Sequence, residues 1–300
     1  MSQLIECVPN ISEGRRAEVI EQFSRELSQV PGVVLLDSSS DLDHNRSVFT
    51  LVGSAEGLQQ AVVRLYSLAL EHIDLRRHQG SHPRMGAVDV VPFIPIRQAT
   101  MADCVALARS TAEEIARQFD VPVFLYAEAA SAPNRRVLSE IRKGEFENLE
   151  AKLAQPEWQP DFGPAHPHPT AGASAIGARF FLIAYNLQLS TGDLKIANAI
   201  ARAVRASSGG LANIQAMGVF LAERNQAQVS MNLLNYEKTP IHRIQELVKI
   251  EARRYGVQVT GAEIVGLVPQ AALIEAAAYY LQIENWQPSL VLEQAMLDKE

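Results

Sequence analysis

One order of elements constrains this chain more than any single residue does: strand, helix, strand, strand, helix, strand can be read twice, once on each side of a proline-rich segment. In the first half, Gln3 to Pro9 reads as a strand, and the Ser12-Glu13-Gly14 turn leads to a helix with Val19, Ile20, Phe23 and Leu27 at helical spacing. Pro31-Gly32 stops that helix. The apolar run Val33 to Leu36 and a strand from Ser47 to Val52 flank the polar turn Asp41 to Asn45, the pattern of a hairpin. Leu58, Ala61, Val62, Leu65, Leu68 and Ala69 place an amphipathic helix between Ala55 and Ile73, ahead of an apolar strand from Val88 to Ile94.

Thr100 is the expected cap of a further helix ending near Gln118, because its hydroxyl can accept from an otherwise unpaired N–H of the first turn. With a strand from Val121 to Tyr126, this helix reads as an addition to a completed unit. The second half repeats the order with strand 179–187, helix 192–205, strands 216–222 and 228–235, helix 240–254 and strand 257–265. The alternation predicts an α+β fold of two ferredoxin-like βαββαβ subdomains from an internal duplication, residues 1–178 and 179–300, each with two helices on one face of an antiparallel sheet.

Between the halves, Pro156, Pro160, Pro164, Pro167 and Pro169 forbid a continuous helix, and Gly163 and Gly172 add further breaks. This segment is expected to be an irregular connection suited to walling a cleft. The formal charge of -7 argues against a broad nucleic-acid-binding surface, so an anionic substrate needs a local basic pocket. Cys7 and Cys104 are the only cysteines, too few for a disulfide scaffold and without the C-x-x-C spacing of a zinc site. No leader pattern opens the chain, and nothing approaches the ~18 apolar residues of a membrane span. A cytoplasmic protein without membrane partners is expected.

The loop Arg76 to Arg84 combines Gly80 and Pro83 with three arginines and two histidines just before a strand. His82 is its sharpest candidate, since an imidazole exchanges protons near neutral pH, while His78 reads as a bystander. His78, His82, His166 and His168 are a weak metal quartet: Gly80 and Pro83 break the helix that would align the first pair, and no H-E-x-x-H accompanies them. No metal is expected. Neither a phosphate-binding G-x-x-x-x-G-K-[ST] nor a G-x-S-x-G elbow occurs, and Ser208-Gly209-Gly210 reads as a flexible connection.

Longer motifs say more. Val8-Pro9-Asn10-Ile11-Ser12-Glu13-Gly14, His82-Pro83-Arg84-Met85-Gly86-Ala87, Val91-Pro92-Phe93-Ile94-Pro95, Asp161-Phe162-Gly163-Pro164, Gly177-Ala178-Arg179, Gln228 to Leu234 and Val265 to Pro269 together resemble the glutamate formimidoyltransferase family, in order and over nearly the whole chain. In animals the similar unit is the N-terminal part of a formimidoyltransferase-cyclodeaminase, and no deaminase region is expected here. The resemblance implies transfer of a formimidoyl group from N-formimidoyl-L-glutamate to N5 of tetrahydrofolate as co-substrate, in histidine breakdown, by a homodimer. It implies that His82 is the catalytic acid/base and that Gly163, Pro164, Ala165, His166, Pro167, His168, Pro169, Thr170, Ala171 and Gly172 bind folate. Arg46, Arg77 and Arg84 are candidate partners of substrate carboxylates through paired, charge-assisted hydrogen bonds, with Asn10 a weaker candidate. Ala171 departs from the tryptophan of animal relatives, and Ser207 to Asn213 is shorter and less basic than theirs. Competing readings are an ATP-dependent cyclisation of 5-formyltetrahydrofolate and a non-catalytic folate-binding protein.

Overall fold

The alternation produces an α+β structure with two sheets, in a computed structural model that describes residues 3–297. The chain divides into two units between Arg179 and Phe180. The first contains β1 (Leu4–Cys7), β2 (Asn10–Ile11), α1 (Ala17–Ser28), β3 (Val33–Asp41), β4 (Arg46–Gly53), α2 (Ala55–His72) and β5 (Val88–Arg97). It continues with α3 (Met101–Phe119), β6 (Val123–Ala127), α4 (Leu138–Arg142), α5 (Leu149–Leu153) and β7 (Ser174–Ala178). β1 and β2 share one lane between β4 and β5, interrupted at Pro9, which has no N–H to donate. β3 pairs with β4 on one side, and β5, β7 and β6 run parallel on the other.

Alternation sorts the strands' side chains between two faces. Ile5, Cys7, Phe49, Leu51, Val91 and Phe93 join Phe23, Leu27, Leu58 and Leu65 of the helices in one buried core. Each fully buried side chain of this size contributes about 1.5–3 kcal/mol through lost apolar exposure. Ser54 caps α2 by accepting from the Gly57 N–H, and Thr100 and Asp103 form a reciprocal capping box on α3. The opposite face carries Glu6 opposite Val52, and Asn10 opposite Val48 and Val90. At the β5–β7–β6 end, Val90, Phe124 and Ala175 are covered by Ile141, Leu149 and Leu153 of α4 and α5.

Neither β7 nor the short helices α4 and α5 were expected from sequence. β7 is Ser-Ala-Ile-Gly-Ala, whose small residues carry almost no strand propensity of their own. Its place is set by non-local packing: a Cβ at Gly177 would lie 2.5 Å from Cδ1 of Tyr126.

The second unit contains β8 (Ile183–Leu189), α6 (Leu194–Val204), β9 (Ile214–Leu221), β10 (Gln226–Leu233), α7 (Ile241–Arg253) and β11 (Val259–Val265), followed by α8 (Gln270–Tyr280) and α9 (Leu292–Leu297). Its strands lie in the order β11-β8-β10-β9, all antiparallel. That is the order of β5, β1, β4 and β3 in the first unit. Tyr185, Leu187, Val229 and Leu233 pack on Ile200, Val204, Ile244 and Val248. No described helix is long and apolar enough to cross a membrane.

Candidate active site

The loop before β5 is held in place by the β3–β4 turn. Asn45 sits there in the left-handed region, at φ 50, which asparagine tolerates better than most residues. Its Oδ1 accepts from the Gly14 N–H at 2.9 Å, its Nδ2 donates to the Gln79 carbonyl at 2.9 Å, and its own carbonyl lies 2.8 Å from Nε2 of His78. Gly80 is needed for this approach, since a Cβ there would lie 3.0 Å from that of Asn45 and press on the His44 carbonyl. The Ser81 N–H also donates to the Asp43 carbonyl, at 3.0 Å.

These links bring His82 to Arg46, the first residue of β4, with Nε2 2.7 Å from Nη1. A guanidinium only donates, so Nε2 is the acceptor and the ring is the neutral tautomer with its proton on Nδ1. The His44 ring lies edge-on to it, with centroids 5.9 Å apart. Burial first, then the positive charges of Arg46 and Arg142, pull the His82 pKa down to about 4, against an opposing effect of Asp89.

Asp89 is buried and does two jobs. Its Oδ1 accepts from the Met85 and Gly86 N–H groups at 2.8 and 3.3 Å, anchoring the end of the loop. Its Oδ2 accepts from Nε of Arg142 at 2.7 Å, fixing the last residue of α4. Lys152 in turn caps α4, donating to the carbonyls of Glu140, Ile141 and Lys143 at 2.7, 2.6 and 3.2 Å. An acidic residue inside the apolar run Val88 to Ile94 was a signal for Asp89. Arg142 had none, because it lies in a stretch without readable periodicity.

Arg84 is placed differently from a ligand-facing arginine. It is 7% exposed, and its fork donates to Glu147 at 2.6 and 2.8 Å and to Glu145 at 3.2 Å. Its Nε donates to Nδ1 of His78 at 3.1 Å, which makes Nε2 of His78 the protonated nitrogen facing Asn45. His78, expected to be a bystander, therefore ties the turn to Arg84. Arg77 is exposed, with Nε 3.9 Å from Asp74. Asn10 is half-buried and donates to the Val8 carbonyl at 3.0 Å.

The 163–172 segment docks on the same loop. The Leu75 N–H donates to the Thr170 carbonyl at 2.8 Å, and the Ala87 N–H to that of Ala171 at 3.0 Å. His168 and Gly172 exchange two backbone hydrogen bonds of 2.9 Å, closing a tight turn in which Nδ1 of His168 accepts from the Ala171 N–H at 3.1 Å. A cavity of about 890 Å³ opens between this turn and the loop, walled by His166, Pro167, His168 and Pro169 on one side and by Arg76, Arg77 and His78 on another. Leu75, Gln79, Phe146, Glu147 and Glu150 complete its wall. Gly163, Pro164 and Ala165 stand away from that wall, and Ala171 is buried in the core at 5% exposure. His82 is not part of the wall either; it faces Arg46 and His44. His78, His166 and His168 share the cavity, yet among the described residues no three potential ligands converge closely enough to hold a metal ion.

Family models place the chain. That of the formiminotransferase domain, N-terminal subdomain, matches residues 4–179, and that of the formiminotransferase domain matches residues 184–297. A glutamate formimidoyltransferase of Streptococcus pyogenes serotype M1 is 48% identical over 95% of this chain and 96% of its own length. A glutamate formimidoyltransferase of Thermoplasma acidophilum is 45% identical over 98% of this chain and 97% of its own. The formimidoyltransferase-cyclodeaminase of Rattus norvegicus is 46% identical over 95% of this chain, which spans 54% of that longer protein. With matches to both halves and to relatives along nearly its full length, the chain belongs to the formiminotransferase family.

Proposed function

We propose that this protein transfers the formimidoyl group of N-formimidoyl-L-glutamate to N5 of tetrahydrofolate, with His82 as the acid/base group. The observation that carries the activity is the 48% identity with a glutamate formimidoyltransferase over 95% of this chain and 96% of that one. In the reaction, the N5 lone pair attacks the amidine carbon, the N5 proton passes to Nε2 of His82, and the imidazolium returns it to the glutamate nitrogen as the carbon–nitrogen bond breaks. A neutral imidazole is the form that can begin this sequence, and the local charges favour it.

Tetrahydrofolate is the co-substrate; the cavity walled by His166 to Pro169 is large enough to hold part of it, with N5 extending past that wall to reach His82. Its docking against the loop supports assigning the 163–172 segment to folate. Arg46 and Arg77 are the arginines best disposed toward substrate carboxylates. We further infer two ferredoxin-like subdomains that arose by duplication, on the strength of their common strand order, and a cytoplasmic homodimer.

Purified protein mixed with tetrahydrofolate and formimidoylglutamate should form 5-formimidoyltetrahydrofolate, followed by absorbance. Folded protein that binds tetrahydrofolate and forms no product would overturn the proposal.

A further inference from the structure

The ion pairs around His82 leave one guanidinium without a direct carboxylate partner. Arg142 is matched by Asp89, whose second oxygen is taken by two backbone N–H groups. Asp41 is engaged by the side chain of His44 at 2.9 Å and by its backbone N–H at 2.8 Å. Arg46 is half-buried, and among the described residues its guanidinium makes one hydrogen bond, to Nε2 of His82, and no ion pair. One cation with unused donors therefore rests on the lone pair that a base would need. Desolvated guanidinium donors take a carboxylate in preference to a neutral nitrogen, because the charge-assisted, bidentate pair is about twice as strong per bond.

We propose that Arg46 is a substrate-responsive restraint on His82: it holds the Nε2 lone pair in the free protein and releases it when a carboxylate of the amino-acid donor substrate takes the guanidinium. The exchange is one of hydrogen bonds, with no covalent change. It ties the availability of the base to occupancy of the donor site, and it acts against proton uptake at His82 when only water is present. The groups facing His82 are Arg46 from β4, His44 from the turn before it, Asp89 from β5 and Arg142 from α4. Of these, Arg46 alone touches the ring nitrogen, and among the described residues it makes no direct ion pair, Asp89 and its cross-strand neighbour Asp41 attracting it only from further off. Arg46 is in this sense a positioning residue, and the inference rests on the proposed role of His82.

The test is the titration of His82 read by NMR of ring-labelled protein, with His82→Gln to assign the signal. In wild-type protein the midpoint should lie near 4 and rise toward the ordinary 6.5 when N-formimidoyl-L-glutamate is added without folate. In Arg46→Met and Arg46→Gln the midpoint should already be raised, and the donor should move it little. A wild-type midpoint that the donor leaves unchanged at millimolar concentration, or an Arg46 variant of native circular dichroism that titrates as low as wild type, would overturn the restraint. The readout needs no turnover, so the two ideas fail separately. A donor-responsive ring in a protein that transfers no group sinks the function and keeps the restraint, while active transfer with an unresponsive ring does the reverse.

Discussion

Nε of Arg142 lies 2.7 Å from Oδ2 of the buried Asp89, so one ion pair joins the end of α4 to the strand that follows the His82 loop. Since the other oxygen of Asp89 anchors Met85 and Gly86, the pair sets both the course of the loop and the position of a cation near the imidazole. Removing the carboxylate leaves a guanidinium and two N–H groups without their acceptor. Asp89→Ala should cost about 3–5 kcal/mol of unfolding free energy in urea titrations. A cost under about 1 kcal/mol would show that neither contact anchors the loop.

The role of His82 is tested most directly by its removal. His82→Ala should lower kcat by about 10² to 10⁴ while leaving tetrahydrofolate binding close to wild type. Turnover equal to wild type would end the acid/base assignment.

Stability should respond to pH through the same ring. The folded imidazole is held near 4, whereas an unfolded one titrates near 6.5, so between those values the unfolded chain takes up the proton first. The contribution of His82 is therefore full above pH 6.5 and is lost as pH falls toward 4. His82→Leu should lose less stability than wild type between pH 7 and pH 5, as measured by denaturant unfolding at each pH. An identical loss in the two proteins would mean that the ring is not held neutral. His78 and His168, whose pKa values burial also lowers, are present in both proteins and cancel.

Gly172 joins the 163–172 turn to the His82 loop with φ +68, and a Cβ there would collide with the Met85 carbonyl and lie 3.0 and 3.1 Å from Phe146 and Leu75. Gly172→Ala should cost at least about 1 kcal/mol from the left-handed backbone alone. Because it displaces the turn that walls the cavity, KM should rise more for tetrahydrofolate than for formimidoylglutamate. Steady-state kinetics with each substrate varied in turn would show it, and equal changes in both KM values would detach the turn from folate.

Several of these residues were readable without coordinates. His82 stood out by its chemistry within a loop of arginines, Thr100 by its place ahead of a periodic helix, and the β3–β4 hairpin by two apolar runs around a polar turn. Each is a local signal, carried by neighbours a few positions apart. Arg84 shows the limit of that reading: its sequence neighbours suggested a ligand-facing cation, but Glu145 and Glu147, about sixty positions away, fill its fork. β7 shows it again, since Ser174 to Ala178 becomes a strand only between β5 and β6, which supply both of its ladders.

By itself, then, the sequence determined the alternation of elements and the two-part organisation, and it singled out His82 as a candidate, because periodicity, breakers and residue type act over short stretches of chain. Only the tertiary structure decided which arginine touches that imidazole, which carboxylate holds Arg142 and which nitrogen of His82 carries the proton. Those follow from distances between residues far apart in the chain, and the energy of a charge or a hydrogen bond depends on such distances and on the water excluded around them.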